Sequence, residues 1–188
     1  MIKTADGKFL VGSLPPRTVF SYGGVNGVAL GYKGASVLCL AEKVLFDKAF
    51  DNDNCNNWKY SSLREHLNND FLEELTENGA ESDDFLAMVT DLTTDDGLKD
   101  YGTCEDLISL IYCQQLRKYG GVIPIVDDFW WTCTAYSTEA NGYSHDIRLV
   151  YPDGALSSDD ACIGCGGVRP LCKLKPNTLV TIVEEEKE

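Results

Sequence analysis

Histidine is close to absent, with His66 and His145 the two in 188 residues. Nucleophilic catalysis by serine or cysteine needs a positioned base backed by an orienting acid, and the linear sequence offers no such set. Long apolar runs are missing too. No stretch approaches the roughly 18 consecutive apolar residues of a membrane-spanning helix, and Met1-Ile2-Lys3-Thr4-Ala5-Asp6-Gly7 lacks the apolar core of a secretion signal. Basic residues are few: 16 Lys and Arg face 30 Asp and Glu, a formal net charge of −14. Affinity for phosphate backbones and anionic lipids rests on clustered Lys and Arg, so direct contact with nucleic acid or membrane is not expected. Gly23-Gly24 and Gly164-Cys165-Gly166-Gly167 lack a phosphate-loop lysine and its strand-then-helix setting, and read as turns.

What is present points to one folded unit. Hydrophobic residues make up 44% and charged residues 24%, close to the globular average. We expect a single domain over residues 1–183 and a solvated acidic tail over 184–188. Eight cysteines at 39, 55, 104, 113, 133, 162, 165 and 172, with no secretion signal, read as reduced thiols in a cytoplasm. The charge is concentrated. Asp51–Asp106 holds 16 carboxylates against Lys59, Arg64 and Lys99, a net of −13, which leaves −1 for the rest of the chain.

The pattern predicts an α+β fold of antiparallel sheets with two helices packed on them. Val19-Phe20, Gly27–Tyr32 and Ser36–Phe46 read as strands punctuated at Gly23-Gly24, Asn26-Gly27 and Lys33-Gly34. Ser62 and Glu65 have capping-box spacing, after which Leu63, Leu67, Phe71 and Leu75 form one apolar helical stripe. A second helix is predicted from Thr103, capped with Asp106, buried through Leu107, Leu110, Ile111 and Tyr119, and ended by Gly120-Gly121. Strands follow at Phe129-Trp130-Trp131, at His145–Tyr151 before the Pro152-Asp153-Gly154 turn, at Val168–Leu174 and at Thr178–Val183.

Three segments carry a family resemblance. Trp58-Lys59-Tyr60-Ser61-Ser62-Leu63-Arg64-Glu65-His66-Leu67-Asn68 resembles a W-x-x-S-x-L-R-x-x-L-N motif. Trp130-Trp131-Thr132-Cys133-Thr134 stands where a tryptophan pair precedes Leu-Arg-Ser, and Gly167-Val168-Arg169-Pro170-Leu171-Cys172-Lys173-Leu174 resembles G-V-R-P-A-x-x-L. Their order and spacing, over roughly residues 18–181, are similar to the bacterial and phage domain of unknown function 6273. That resemblance implies a bacterial or phage origin and no particular activity. A further similarity, of the tryptophan-bearing strand, the alternating strand leading to Asp-Gly and the last strand with its arginine, implies a C-type-lectin-like or related architecture. Thr132-Cys133 departs from the family's Leu-Arg, and the Glu-Pro-Asn and Gln-Pro-Asp tripeptides of calcium-dependent sugar binding are missing.

The residues leave several sites to weigh. Cys162-Ile163-Gly164-Cys165 has zinc-knuckle spacing, and Cys172 or Cys133 would complete a tetrahedral set, but a second Cys-x-x-Cys pair is lacking. Free thiols in a loop, with Cys172 in the core, are the alternative. Asp51-Asn52-Asp53-Asn54 opens like a calcium loop, but Asn56 and Ser62 stand where glycine and glutamate are needed. Trp130 and Trp131 must face opposite sides of a strand, leaving one of them as a candidate surface anchor unless both are buried. The expected function is a non-catalytic protein-binding module that engages its partner through loops around Trp131, Tyr136, Tyr143 and Cys162–Cys165. One alternative is an acidic nucleic-acid mimic of the anti-CRISPR or other anti-defence kind. It would block a basic nucleic-acid-binding protein through Glu73, Glu74, Glu77, Asp83, Asp84, Asp95 and Asp96. Another is a zinc enzyme built on Cys162, Cys165 and Cys172.

Overall fold

The computed structural model describes residues 1–32 and 34–183. The Lys33 part of one expected turn and the 184–188 tail lie outside the described residues. The fold is mixed α+β and mostly antiparallel. A seven-stranded sheet runs in the order Phe9–Leu10, Leu179–Ile182, Val19–Tyr22, Val25–Tyr32, Val37–Ala41, Leu171–Leu174, Ile108–Ser109. A five-stranded sheet orders Leu156–Asp160, Asp146–Val150, Trp130–Ala135, Gly167–Val168 and Phe46–Asp47, with one parallel contact, Gly167 to Trp130. A two-stranded ribbon pairs Met88–Asp91 with Thr103–Asp106. Among the described residues no helix is long and apolar enough to cross a membrane.

The first helical region forms where expected, and Leu63, Leu67, Phe71 and Leu75 are all buried. It is split into α1 (Ser62–Asn68) and α2 (Asp70–Glu77). At the break, Asn69 turns its side-chain amide back onto the Glu65 carbonyl at 2.8 Å, a local bond that competes with helix continuation. The cap is Ser61 rather than Ser62: its Oγ accepts from the Arg64 amide, while Ser62 Oγ accepts from Asn52. Asn26-Gly27, expected as a turn, lies inside the Val25–Tyr32 strand.

The second helix is much shorter than expected. Thr103–Asp106 is a strand whose residues alternate exposed and buried, Ile108–Ser109 joins the large sheet beside Leu171-Cys172, and α3 covers just Cys113–Tyr119. Two long-range demands override the helical spacing. Asp106, buried, receives the Trp58 indole N–H at 2.9 Å and the Arg64 guanidinium at 2.7 Å. Asn68 reads the backbone opposite, accepting from the amides of Leu107 and Ile108 and donating to the Ile108 carbonyl at 2.7 Å.

The expected Val168–Leu174 strand is two short strands. Gly167–Val168 belongs to one sheet and Leu171–Leu174 to the other, so Arg169-Pro170 is the crossing between them. The tryptophan pair packs against this crossing. Trp131 lies in one buried cluster with Trp58 and Phe50, and Trp130 lies in a second with Val28 and Leu40. Both indoles are buried. Trp131 as an exposed anchor is therefore overturned, since the opposite faces of its strand are both covered. Gly166 lies so near that an added Cβ would stand 2.0 Å from the Trp131 ring, whose N–H is tied to the Lys48 carbonyl at 2.9 Å.

Because that ring is held and cannot swing aside, Gly166→Ala is expected to cost about 3 kcal/mol, the upper range for overpacking a core. Gly164→Ala, whose Cβ meets nothing within 4 Å, is expected to stay within about 0.5 kcal/mol of wild type. Urea unfolding of both variants measures the contrast.

Candidate functional site

The loop between strands Trp130–Ala135 and Asp146–Val150 is built on one buried side chain, Asn56. Its Nδ2 donates to the carbonyls of Ser137, Tyr143 and Asp146 at 3.1, 2.8 and 3.1 Å. Its Oδ1 accepts from the Tyr101 hydroxyl at 2.7 Å, and its own amide donates to the Ser144 carbonyl at 2.8 Å. Tyr101 in turn accepts the Glu139 amide. A fully satisfied buried amide of this kind fixes the loop backbone. Asn56 lies in the polar 51–57 segment. Nothing local signals its burial, because its partners are 45 to 90 positions along the chain.

On this base two of the expected residues come together at the surface. Tyr136 and Tyr143 are 36% and 42% exposed, and their ring centroids are 5.3 Å apart. The Arg148 guanidinium stacks 4.7 Å from the Tyr136 centroid. Arg148 is locked in turn by Asp95, whose Oδ2 accepts Nε and Nη2 at 2.9 and 2.7 Å while its Oδ1 accepts Arg117 at 2.9 Å. Arg148 projects from the solvent-side row of an alternating strand, a position the sequence made visible. Its pairing with Asp95, expected instead as a surface carboxylate, was not.

The expected acidic surface divides. Glu73, Glu74 and Glu77 are exposed on α2, and Glu81 and Asp83 are exposed just beyond it. Asp84 is half-buried and accepts the Tyr22 hydroxyl. Asp95 serves as the arginine clamp, and Asp96 accepts the hydroxyls of Ser137 and Thr94 beside the tyrosine loop. These last two belong to the five-stranded sheet's surroundings rather than to the α2 face. Asp51, which opens the calcium-like segment, is buried. Its carboxylate accepts the amides of Asp53, Cys55 and Ser62, so it organises a turn and the start of α1.

The cysteine set is not assembled. Cys162 and Cys165 are exposed, whereas Cys172 faces Cys39 across the large sheet. Cys133 is buried, its thiol against the Leu110 carbonyl. Among the described residues no cluster of metal-donor side chains contains a cysteine. The tetrahedral set of Cys162, Cys165 and Cys172 fails because Cys172 belongs to the other sheet's interior. Burial pushes the Cys172 thiol up to about 12, which opposes the thiolate a metal or a nucleophile requires. Trp130, the other indole, floors a groove of about 400 Å³ walled by Ile123, Ile125, Val126 and Tyr151.

Two outcomes are expected from these contacts. Asn56→Ala removes the side-chain donor from the carbonyls of Ser137, Tyr143 and Asp146, the last of which keeps the Tyr136 amide, and the acceptor of the Tyr101 hydroxyl, at a cost of about 2–4 kcal/mol. Urea unfolding reads the loss, and faster proteolysis within 137–145 reads the loosened loop. For Asp95, burial alone would raise the carboxyl, but the Arg117 hydrogen bond and the Arg148 charge outweigh it and hold it below the usual range. A folded pKa lower than the unfolded one contributes stability above about pH 4 that drains away as pH falls through the folded value. Asp95→Asn should therefore flatten the acid limb of the stability profile below about pH 4, measured by urea midpoints across a pH series.

No family model, curated protein or solved structure matches this chain, and the resemblance to domain of unknown function 6273 rests on the three motifs alone.

Proposed function

We propose that the chain is a non-catalytic protein-binding module of bacterial or phage origin, acting in the cytoplasm through the Tyr136–Tyr143 surface. The observation that carries this reading is the pair of exposed tyrosine rings held by Arg148 above a loop that Asn56 has already ordered. Tyrosines present large amphipathic contact area with few rotatable bonds, and a loop fixed before binding loses little entropy on association. The C-type-lectin-like comparison draws support from the second sheet, where Trp130–Ala135 lies directly between Asp146–Val150 and Gly167–Val168. Fold alone does not assign a function, so the tyrosine surface and not the architecture bears the proposal.

The buried cysteines are poor candidates for nucleophiles, since a nucleophile needs the thiolate. Burial raises Cys39, Cys113 and Cys133 above the ordinary thiol value.

A second reading has its own observation. Glu73, Glu74, Glu77, Glu81 and Asp83 are all exposed, α2 has no basic residue in its last turn, and Glu77 sits at the negative end of the helix dipole. A face that retains such repulsion suits a basic nucleic-acid-binding partner, as a nucleic-acid mimic would.

The test captures partners with the purified chain and then titrates the best of them. Tyr136→Ala and Tyr143→Ala should each weaken binding about tenfold or more, with little change between low and moderate salt and an unchanged circular dichroism spectrum. Retained affinity in both variants would sink the tyrosine reading. Loss of affinity in a Glu73→Gln, Glu74→Gln, Glu77→Gln, Asp83→Asn variant, with steep salt dependence in wild type, would instead establish mimicry.

A further inference from the structure

At the end of the Asp146–Val150 strand an imidazole and two carboxylates converge. Asp146 and Asp160 are direct partners in the antiparallel ladder of Asp146–Val150 with Leu156–Asp160, so both side chains leave the same face. His145 Nε2 is 3.8 Å from Asp146 Oδ2 and 3.9 Å from Asp160 Oδ1. These separations exceed a hydrogen bond on both sides. One donor atom from each of the three residues lies within 4.8 Å of the others.

Two further features bear on this arrangement. First, like charges placed directly opposite on neighbouring strands destabilise a sheet, and among the described residues neither carboxylate has a Lys or Arg within ion-pair distance. The cation next along that face, Arg148, is committed to Asp95 and to the Tyr136 ring. Second, the backbone beneath the three side chains is fixed. The His145 carbonyl accepts the Ala161 amide at 2.8 Å, and the Asp146 carbonyl accepts both the Tyr136 amide and Asn56 Nδ2. The backbone positions of the three are thus fixed while their side chains reach water, with side-chain exposures of 45%, 27% and 50% for His145, Asp146 and Asp160.

We propose that His145, Asp146 and Asp160 form a binding site for a divalent transition-metal ion, with water completing its shell. An ion about 2.0–2.2 Å from each donor sets the donors about 3.0–3.5 Å apart. The His145 nitrogen must then draw in on each carboxylate by about half an ångström, and the two carboxylate oxygens, within 4.8 Å of each other, by up to about 1.5 Å, which rotation of the partly exposed side chains supplies. One imidazole with two carboxylates suits the zinc and manganese class. Calcium prefers six or more oxygens, and magnesium keeps its water and takes few protein ligands. The site is separate from the Cys162–Cys165 pair and does not depend on the tyrosine surface, although Asn56 supports both.

The chain's two histidines make the test direct. Purified full-length protein is stripped with chelator and dialysed, and substoichiometric Mn²⁺ is added while the imidazole proton resonances are followed. Selective broadening of the His145 signals, with those of His66 spared, is the expected result. Zn²⁺ is then titrated calorimetrically into a Cys162→Ser, Cys165→Ser background, which removes the exposed thiols as competing ligands. One saturable site is expected there, weakened tenfold or more by Asp160→Asn and by His145→Gln, each checked for an unchanged circular dichroism spectrum. Should Asp160→Asn fail to fold, His145→Gln alone carries the comparison. Equal broadening of both histidines, absence of saturation, or unchanged affinity in the folded variants would overturn the assignment.

Discussion

The residues from Gly166 to Pro170 tie the two sheets together, and the tryptophan pair is what they tie to. Gly166 lies against one indole, where a side chain cannot fit. Three residues later Arg169 lies with its guanidinium 4.7 Å from the ring centroid of the other. Arg169 is completely buried, and its nitrogens donate to the carbonyls of Ala41, Glu42 and Pro124. Burial pulls it down to about 10, so it remains charged at neutral pH. A buried cation is tolerated when its donors are satisfied. Here backbone carbonyls and the Trp130 face serve, with no carboxylate within ion-pair distance among the described residues.

The motif around Trp58 has the same character. Trp58 and Arg64 share Asp106, Ser61 caps α1 while its own hydroxyl donates to Phe50, Leu63 and Leu67 fill the core, and Asn68 holds the 107–108 backbone. All three recognisable segments are therefore devices that hold elements together. The surface proposed for binding, Tyr136, Tyr143 and Arg148, and the proposed ion site at His145, Asp146 and Asp160 lie outside these segments, around the loop that Asn56 fixes.

The carboxylates of Asp51–Asp106 serve several ends. Asp51 and Asp106 are buried acceptors that organise α1 and its neighbours, and Asp95 clamps two arginines. Hydrogen bonds from Thr94 and Ser137 hold Asp96 below the usual carboxylate range. Exposed carboxylates remain on α2 and the turn after it, at Glu73, Glu74, Glu77, Glu81 and Asp83, and also outside that face at Asp53, Glu65, Asp100 and Glu105. The regional count of charge thus overstates the acidic face, because Asp106 and Asp95 are paired with guanidinium groups and Asp51 carries its charge in the interior.

Local pattern alone determined a good deal: the α+β class, the apolar stripe of Leu63, Leu67, Phe71 and Leu75, the opposed faces of Trp130 and Trp131, and the Ile147–Leu149 alternation before the turn at Gly154. These depend on periodicity and turn chemistry, which a window of a few residues contains. Tertiary structure decided the rest. Thr103–Asp106 became a strand because Asp106 satisfies Trp58 and Arg64, and Val168–Leu174 broke in two because it must change sheets. Asn56 became the hub of the 136–146 loop, and Asp160 came opposite Asp146. Each of these outcomes turns on partners far apart in the chain, whose pairing energy exceeds local propensity and leaves no trace in the spacing of neighbouring residues.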